Sequence, residues 1–175
     1  MNKNQKIIHW HEKIFQYLLK IKEGKKNLTF YLRARDNEDR LTNGYWFLGS
    51  YYISIGLVKK GDRKNKTKQI ALVFNFKDKI SYLEITLKSE QDDKIINCYN
   101  EISKNLYVFE SKYGNYIKRY NESDPIAVID KFFEHDYETL IGIIKKHALS
   151  DELLIDERAF QKSLDKILAI RKTRV

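Results

Sequence analysis

Residues 70–87 read IALVFNFKDKISYLEITL, and this stretch decides the fold. Most side chains of 70–76 and 80–87 are apolar or β-branched, and the polar turn Lys77-Asp78-Lys79 separates the two runs. Strands joined by so short a turn pair antiparallel, because a parallel pair needs a crossover of about a dozen residues. The stretch therefore predicts a β-hairpin within an antiparallel sheet.

The elements upstream of this hairpin have two different periods. Apolar residues recur at helical spacing over 5–22, which predicts an amphipathic helix. Residues 28–35 then alternate between apolar and polar side chains, which predicts a strand. The aromatic and β-branched run 45–58 predicts a further long strand, bent near Gly49 or Gly56.

Helices dominate downstream of the hairpin. The pattern predicts a helix over 92–103, a last strand over 106–110, a helix that starts at Asp124-Pro125 and breaks near His135-Asp136, and a final helix from Ser150. This order predicts an α+β fold with a mainly antiparallel curved sheet or pseudobarrel, an N-terminal helix and a helical C-terminal part. We expect residues 1–122 to form a basic helix-plus-sheet domain and residues 123–175 a helical extension packed on it.

Composition limits the class of protein. The 175 residues are 42% hydrophobic, enough for a core and against a disordered chain. Cys98 is the single cysteine, which excludes a disulfide scaffold and suits a reducing cytoplasm. No apolar run approaches the roughly 20 residues that a membrane helix needs, so no membrane partner is expected.

The charge is basic and unevenly distributed. Lys and Arg number 33 against 24 Asp and Glu, a net of +9. Residues 1–90 contain 19 basic and 9 acidic side chains, whereas residues 91–175 contain 14 and 15. A basic half joined to a nearly neutral half predicts an anionic partner on one side of the protein.

The segment 59–68 is the densest cationic run, with six cations and one anion. It lies between two predicted strands, where a loop can reach the phosphates of a nucleic acid. The expected phosphate contacts are Lys59, Lys60, Arg63, Lys64, Lys66 and Lys68. The alternative is a solvated hairpin tip whose lysines only protect a sheet edge from aggregation.

A second group has the side chains that read bases. Arginine and asparagine form paired hydrogen bonds with guanine and adenine edges, and a strand aromatic can stack on a base. The expected base contacts are Arg33, Arg35, Arg40, Asn43 and Trp46. Two alternatives remain open: surface ion pairs with the acids of 36–39, and burial of the aromatics of 45–47 in the core, although strand alternation predicts that not all three are buried.

Catalytic signals are weak. A metal-dependent nuclease of the common restriction type needs an acidic residue followed by Glu-x-Lys on a strand. Asp78 precedes Glu84, but the next lysine, Lys88, is four positions beyond Glu84. That is about 13 Å along a strand, too far for Glu84 and Lys88 to share a metal ion. Neither a P-loop nor a dinucleotide-binding glycine motif occurs, and the histidines lack ligand spacing. No catalytic residue, metal or cofactor is therefore expected.

The chain also resembles a known family over 28–94. The residues that carry the resemblance are Thr29-Phe30-Tyr31-Leu32-Arg33, Gly44-Tyr45-Trp46-Phe47 and Asn65-Lys66-Thr67-Lys68. This part is similar to the N-terminal specificity domains of McrB-like AAA+ subunits in bacterial restriction systems, including the LlaJI-type systems. The resemblance implies a DNA-binding module that works with an AAA+ motor region and a separate nuclease subunit.

The leading hypothesis is a non-catalytic, cytoplasmic domain that binds double-stranded DNA, site- or modification-specifically, in an anti-phage restriction system. Two alternatives are an RNA-binding or ribonuclease-like protein that uses exposed tyrosines for stacking, and a protein-interaction adaptor that uses the helical half.

Overall fold

The computed structural model describes residues 3–59, 69–87, 92–108, 110–112 and 115–174. The first half of the chain contains a long helix and three strands: α1 (Lys3–Gly24), β1 (Tyr52–Gly56), β2 (Gln69–Asn75) and β3 (Ile80–Thr86). The second half contains α2 (Asp93–Asn105), β4 (Glu110–Lys112), β5 (Asn115–Tyr120), α3 (Pro125–Lys131), a π-helical turn (Phe132–Asp136), α4 (Tyr137–Lys146), α5 (Ser150–Leu153) and α6 (Glu157–Thr173).

The five strands form one antiparallel sheet in the order β1-β2-β3-β5-β4. The predicted hairpin is confirmed as β2 and β3, paired from Gln69 with Thr86 to Asn75 with Ile80. The predicted α+β class is also confirmed: the sheet is open and curled, with a helix before it and a helical part after it.

The sheet turns one face to the core. Directly paired residues share a face, so Ile55, Leu72 and Leu83 form one buried row across β1, β2 and β3. Residues from α1 and α6 belong to the same core cluster, for example Ile14 and Phe160. Both ranges, 1–122 and 123–175, therefore contribute to one continuous core.

Residues 28–35 are extended but do not form a ladder, so the predicted strand is wrong. The alternation is real, because Leu28, Phe30 and Leu32 are buried. However, the N–H of Tyr31 donates to the carbonyl of Gly56 at 2.7 Å, whereas the N–H of Arg33 donates to the carbonyl of Trp46 at 2.8 Å. The segment divides its hydrogen bonds between two different neighbours, which prevents regular pairing with either.

The run 45–58 contains much less strand than predicted. β1 covers only its second half, and an isolated bridge joins Leu48 to Ser54. Gly49 has a φ of +95°, and a Cβ there would lie 2.1 Å from the carbonyl oxygen of Tyr52. The expected bend at Gly49 therefore turns the chain back sharply and ends the regular pairing.

Two elements in the second half differ from the prediction. Leu106 and Tyr107, at the start of the strand expected over 106–110, form a turn, and strand pairing begins at β4. The final helix is split, because Leu154 is extended and Asp156 caps α6 by accepting a hydrogen bond from the N–H of Ala159 at 2.7 Å.

The break expected near His135-Asp136 is a π-helical turn that connects α3 to α4 without interrupting the helix. The extra residue of such a turn changes which side chains face inward. Here it directs Asp136 towards β5: its carboxylate accepts from the Lys118 ammonium at 2.7 and 2.8 Å and from the Tyr120 hydroxyl at 2.6 Å. Asp136 is 4% exposed, so this is a buried ion pair with one added hydrogen bond.

Candidate nucleic-acid interface

The first and last helices pack side by side, and both carry an excess of positive charge. Lys22 near the end of α1 pairs with Glu157 at the start of α6 at 3.0 Å, and Glu12 pairs with Arg171 near the end of α6. The two helices are therefore antiparallel neighbours. Residues 3–26 contain seven Lys and Arg against two acids, and residues 157–174 contain six against two.

A groove of about 640 Å³ lies between the two helices, and we call it the α1–α6 groove. Its apolar lining comes from Ile8, Trp46 and Leu168, its cations are Arg171, Lys172 and Arg174, and His9, Glu12 and Gly44 complete it. Among these lining residues, Glu12 is the single acid. The groove thus combines an apolar wall with a cationic rim.

Glu12 organises the centre of the groove. Its carboxylate accepts from the indole N–H of Trp46 at 2.8 Å, from the Gln16 amide at 2.6 Å and from Arg171. Partial burial acts to raise the pKa of Glu12, but these three hydrogen bonds outweigh it and lower the pKa below the usual value. Glu12 therefore stays ionised and fixes Arg171 and Trp46 relative to each other.

Three arginines beside the groove lie over aromatic rings. The guanidinium carbons of Arg40, Arg171 and Arg174 lie 5.0, 5.3 and 5.6 Å from the ring centroids of Tyr45, Phe15 and Trp46, respectively. The rings form one group, since Tyr45 and Trp46 are consecutive and the ring of Phe15 is 6.1 Å from that of Trp46. Stacking restricts these side chains. Arg171 and Arg40 are also paired with Glu12 and Glu38, and Arg174 is the most exposed of the three.

Gly44 allows Arg174 to take this position. A Cβ on Gly44 would lie 2.1 Å from a guanidinium nitrogen of Arg174, and the φ of +91° also favours glycine. The loop before it, residues 36–44, is tied to its own start, because Asp36 accepts from the N–H of Leu41 at 2.8 Å and from the hydroxyl of Thr42.

Trp46 was expected to contact a base, but it is buried in the structure. The prediction that not all three residues of 45–47 are buried is wrong, because Tyr45, Trp46 and Phe47 are 5%, 1% and 0% exposed. The segment is not a regular strand, so its side chains need not alternate between two faces. Trp46 supports the groove and has no open ring face for a base in this conformation.

Arg33 is also directed inward. Its guanidinium donates to the carbonyls of Tyr45 and Phe47, each at 3.0 Å, and to that of Gly49 at 3.5 Å. Burial, and then the nearby Arg40, lower the pKa of Arg33. Its donors hold the irregular segment 45–49 in place, so they do not face an incoming base.

We therefore expect Arg33→Met to destabilise the protein by about 2 kcal/mol, because backbone carbonyls lose charged donors while remaining partly buried. Chemical denaturation of the variant and the unchanged protein measures this difference. Arg35→Met is the matched control, since Arg35 is exposed and has no partner within the part of the chain that the structure describes. Equal stability of the two variants would contradict the bracing role of Arg33.

The other expected base contacts lie on the loop before Gly44. Arg40 pairs with Glu38 at 3.3 Å besides stacking on Tyr45, so the predicted alternative of a surface ion pair is partly realised. The Asn43 side-chain amide donates to the carbonyl of Asp39 at 2.8 Å. Arg35 is the expected base contact with the most open guanidinium.

Of the expected phosphate contacts, only Lys59 belongs to the described residues. Its ammonium donates to the carbonyl of Asp151, and its N–H donates to that of Leu153 at 2.6 Å. Lys59 thus joins the chain after β1 to α5. Lys60, Arg63, Lys64, Lys66 and Lys68 lie outside the described residues.

The remaining titratable groups do not assemble a reaction centre in the described ranges. Asp78 accepts from the Asn75 amide at 2.9 Å, and Glu84 accepts from the Asn115 amide at 2.8 Å. No group of three His, Cys, Asp or Glu within these ranges could hold a metal ion. Cys98 is buried, and burial followed by Glu101 raises the pKa of its thiol to about 11, which favours the unreactive form.

Sequence reasoning missed the contribution of α6 to the cationic surface. Arg171, Lys172 and Arg174 lie in the half of the sequence that is neutral overall. The available signal was their clustering within four positions at the end of an amphipathic helix. Their proximity to α1 depends on packing and not on local sequence.

Comparison with known proteins leaves the family open: no family model, no curated protein and no solved structure matches the chain. Within the described residues, no helix is both long and apolar enough to cross a lipid bilayer.

Proposed function

We propose that the protein binds double-stranded DNA through the α1–α6 groove and the cations around it, without catalysing a reaction. The observation that carries this proposal is the set of three ring-stacked arginines, Arg40, Arg171 and Arg174, on one surface. A guanidinium fixed on an aromatic plane contacts phosphates with little further loss of side-chain entropy.

The distribution of charge supports the same surface. The segments 3–26 and 157–174 have net charges of +5 and +4, whereas 123–156 has three basic and eight acidic residues, a net of −5. Charge of one sign concentrated on neighbouring helices steers a polyanion to that side. The cations of 59–68 would add to it if that segment lies near the DNA.

The resemblance to McrB-like specificity domains supports a more specific role. On that basis the protein is a site- or modification-specific module of a bacterial restriction system, acting with an AAA+ motor region and a separate nuclease. Arg35 is the residue most suited to read a base edge, because it is exposed immediately before the loop that carries Arg40.

The experiment compares two double variants of equal charge change. Lys172→Ala/Arg174→Ala removes two cations of the groove, and Lys104→Ala/Lys145→Ala removes two exposed cations of α2 and α4, which do not line it. Fluorescence anisotropy with a random-sequence duplex between 50 and 200 mM salt gives the affinity and its salt dependence. We expect the groove variant to bind roughly tenfold more weakly and its log–log salt slope to fall by about 2.

The control variant is expected to stay close to the unchanged protein. Equal losses in both variants would show that binding follows net charge and would overturn the groove as the DNA site. Failure of the unchanged protein to bind duplex DNA at 50 mM salt would overturn the proposed function itself.

A further inference from the structure

The sheet face opposite the core carries a group of aromatic and cationic side chains that the proposed duplex site does not use. Pairing places Ser54, Val73, Tyr82 and Arg119 in one row across β1, β2, β3 and β5. Tyr52 is in the adjacent row, beside Asn75. These residues share one face because directly paired residues point to the same side of a sheet.

Only one end of this face is open. Gly56 and Ala71 are buried at the far end, where the Tyr31 side chain lies 3.1 Å from the Cβ position of Gly56. At the end next to the β2–β3 turn, Tyr52 is 45% exposed, Arg119 is exposed and Tyr82 is partly exposed. Tyr51, 80% exposed, adjoins the same end. Between the two tyrosines the sheet carries the small side chains of Ser54 and Val73, and both are buried, so the accessible part of this end consists of the tyrosine rings and Arg119.

The open end has a positive surround. Lys77 and Lys79 are exposed in the β2–β3 turn, and Arg119 lies directly beside Tyr82. Two acids, Asp78 and Glu84, also lie near this end and accept hydrogen bonds from the neutral amides of Asn75 and Asn115, so the three cations outnumber the acids by one. Aromatic rings on an open sheet with cations beside them suit a chain of unpaired bases on a phosphate backbone.

We propose that Tyr52 and Tyr82, with Arg119 beside them, form a second site that binds single-stranded nucleic acid by stacking its bases. The two tyrosines are separated by the width of two strand spacings, about 10 Å, and offset by two residues along the strands. A strand crossing the sheet would place one base on each ring, and Arg119, Lys77 and Lys79 would contact phosphates. Duplex DNA does not fit this site, because its bases are stacked inside the helix and present no free faces.

The test uses the full chain and fluorescein-labelled dT15 and rU15 at low salt, measured by anisotropy. Tyr52→Leu/Tyr82→Leu removes both rings, and Tyr52→Phe/Tyr82→Phe keeps them. We expect the leucine variant to bind at least roughly tenfold more weakly and the phenylalanine variant to bind within about twofold of the unchanged protein. Tyr107→Leu is the matched control, because Tyr107 is 76% exposed but belongs to the turn after α2. A preference for dT15 or rU15 identifies the kind of strand.

A second measurement does not require the variants to fold. In the unchanged protein, saturating dT15 or rU15 is expected to protect Tyr52 and Tyr82 from nitration by tetranitromethane, read by mass spectrometry, while Tyr107 reacts as before. Absence of single-strand binding, equal losses in the leucine and phenylalanine variants, or unprotected tyrosines would each overturn the second site. Loss of dT15 binding only in the Lys172→Ala/Arg174→Ala variant would also overturn the second site, because it would assign single-strand binding to the α1–α6 groove. The duplex proposal is tested separately and does not depend on this result.

Discussion

Acidification from pH 7 to pH 4 is expected to cost the protein about 3 kcal/mol of its free energy of unfolding through His11 alone. His11 is fully buried: its ring stacks on Phe47 and meets Tyr45 edge-on. Burial, and then the Arg33 charge, lower the pKa of His11 from 6.5 to about 3. In this pH window the unfolded chain therefore binds a proton that the folded protein does not, and folding stability falls as the pH falls.

The hydrogen bonds of His11 explain why the folded protein resists the proton. Nδ1 accepts from the N–H of Phe47 at 3.3 Å, so the lone pair on that nitrogen is already used by a hydrogen bond of the folded protein. Nε2 is buried without a partner within the described structure. A proton on Nδ1 would break the hydrogen bond to Phe47 and place a charge next to Arg33.

Urea denaturation at several pH values, with the unchanged protein and His11→Asn, tests this expectation. The asparagine oxygen can replace Nδ1 as the acceptor but does not titrate, so the difference in stability between the two proteins should shrink by about 3 kcal/mol from pH 7 to pH 4. His9→Asn removes an exposed imidazole and is the control, expected to keep the acid sensitivity of the unchanged protein. Parallel pH profiles for the unchanged protein and His11→Asn would contradict the assignment.

The second large effect is expected at the π-helical turn. Asp136→Ala should lower the free energy of unfolding by about 3 kcal/mol, because it leaves the Lys118 ammonium and the Tyr120 hydroxyl without their buried acceptor. The side chain of Lys118 remains 25% exposed, so its charge can reach some water, which keeps the loss at the lower end of the range for a broken buried pair.

Two further variants separate the ion pair from simple packing. Asp165→Ala removes an exposed acid of α6 that accepts only from Gln161 among its described contacts, and we expect it to change stability by less than about 0.5 kcal/mol. Adding Lys118→Met to Asp136→Ala removes the unpaired charge and should restore at least about 1 kcal/mol. If Asp136→Ala costs no more than Asp165→Ala, the buried pair does not stabilise the fold.

Local sequence predicted those parts of the fold that depend on local physics. The hairpin of β2 and β3 followed from strand propensity and a three-residue turn, and the starts of α2 and α3 followed from Asp92 and from Asp124-Pro125. Segment 28–35 shows the limit of this reasoning. Its alternating burial was predictable, but its hydrogen bonds depend on Gly56 and Trp46, whose positions arise only from tertiary packing.

The candidate site was predicted less well for the same reason. Sequence pattern identified Arg33 and Trp46 by chemical type, yet the structure uses both inside the protein, one against backbone carbonyls and the other against Glu12. The pattern could not identify Arg171 and Arg174 as groove residues, because their partners Phe15 and Trp46 are more than a hundred positions away. Residue type indicated which chemistry was available, and packing determined which residues face outward.

The pairing of Glu12 with Arg171 spans 159 positions and has a consequence during synthesis. A ribosome releases α1 long before it has made α6, so the emerging chain presents the cations of α1 without the opposite wall of the groove. The proposed DNA surface is complete only after residue 171 has been translated and the last helix has docked. Growing chains that lack α6 would therefore contact nucleic acid only through the charges of α1, and the groove would form only after α6 has docked.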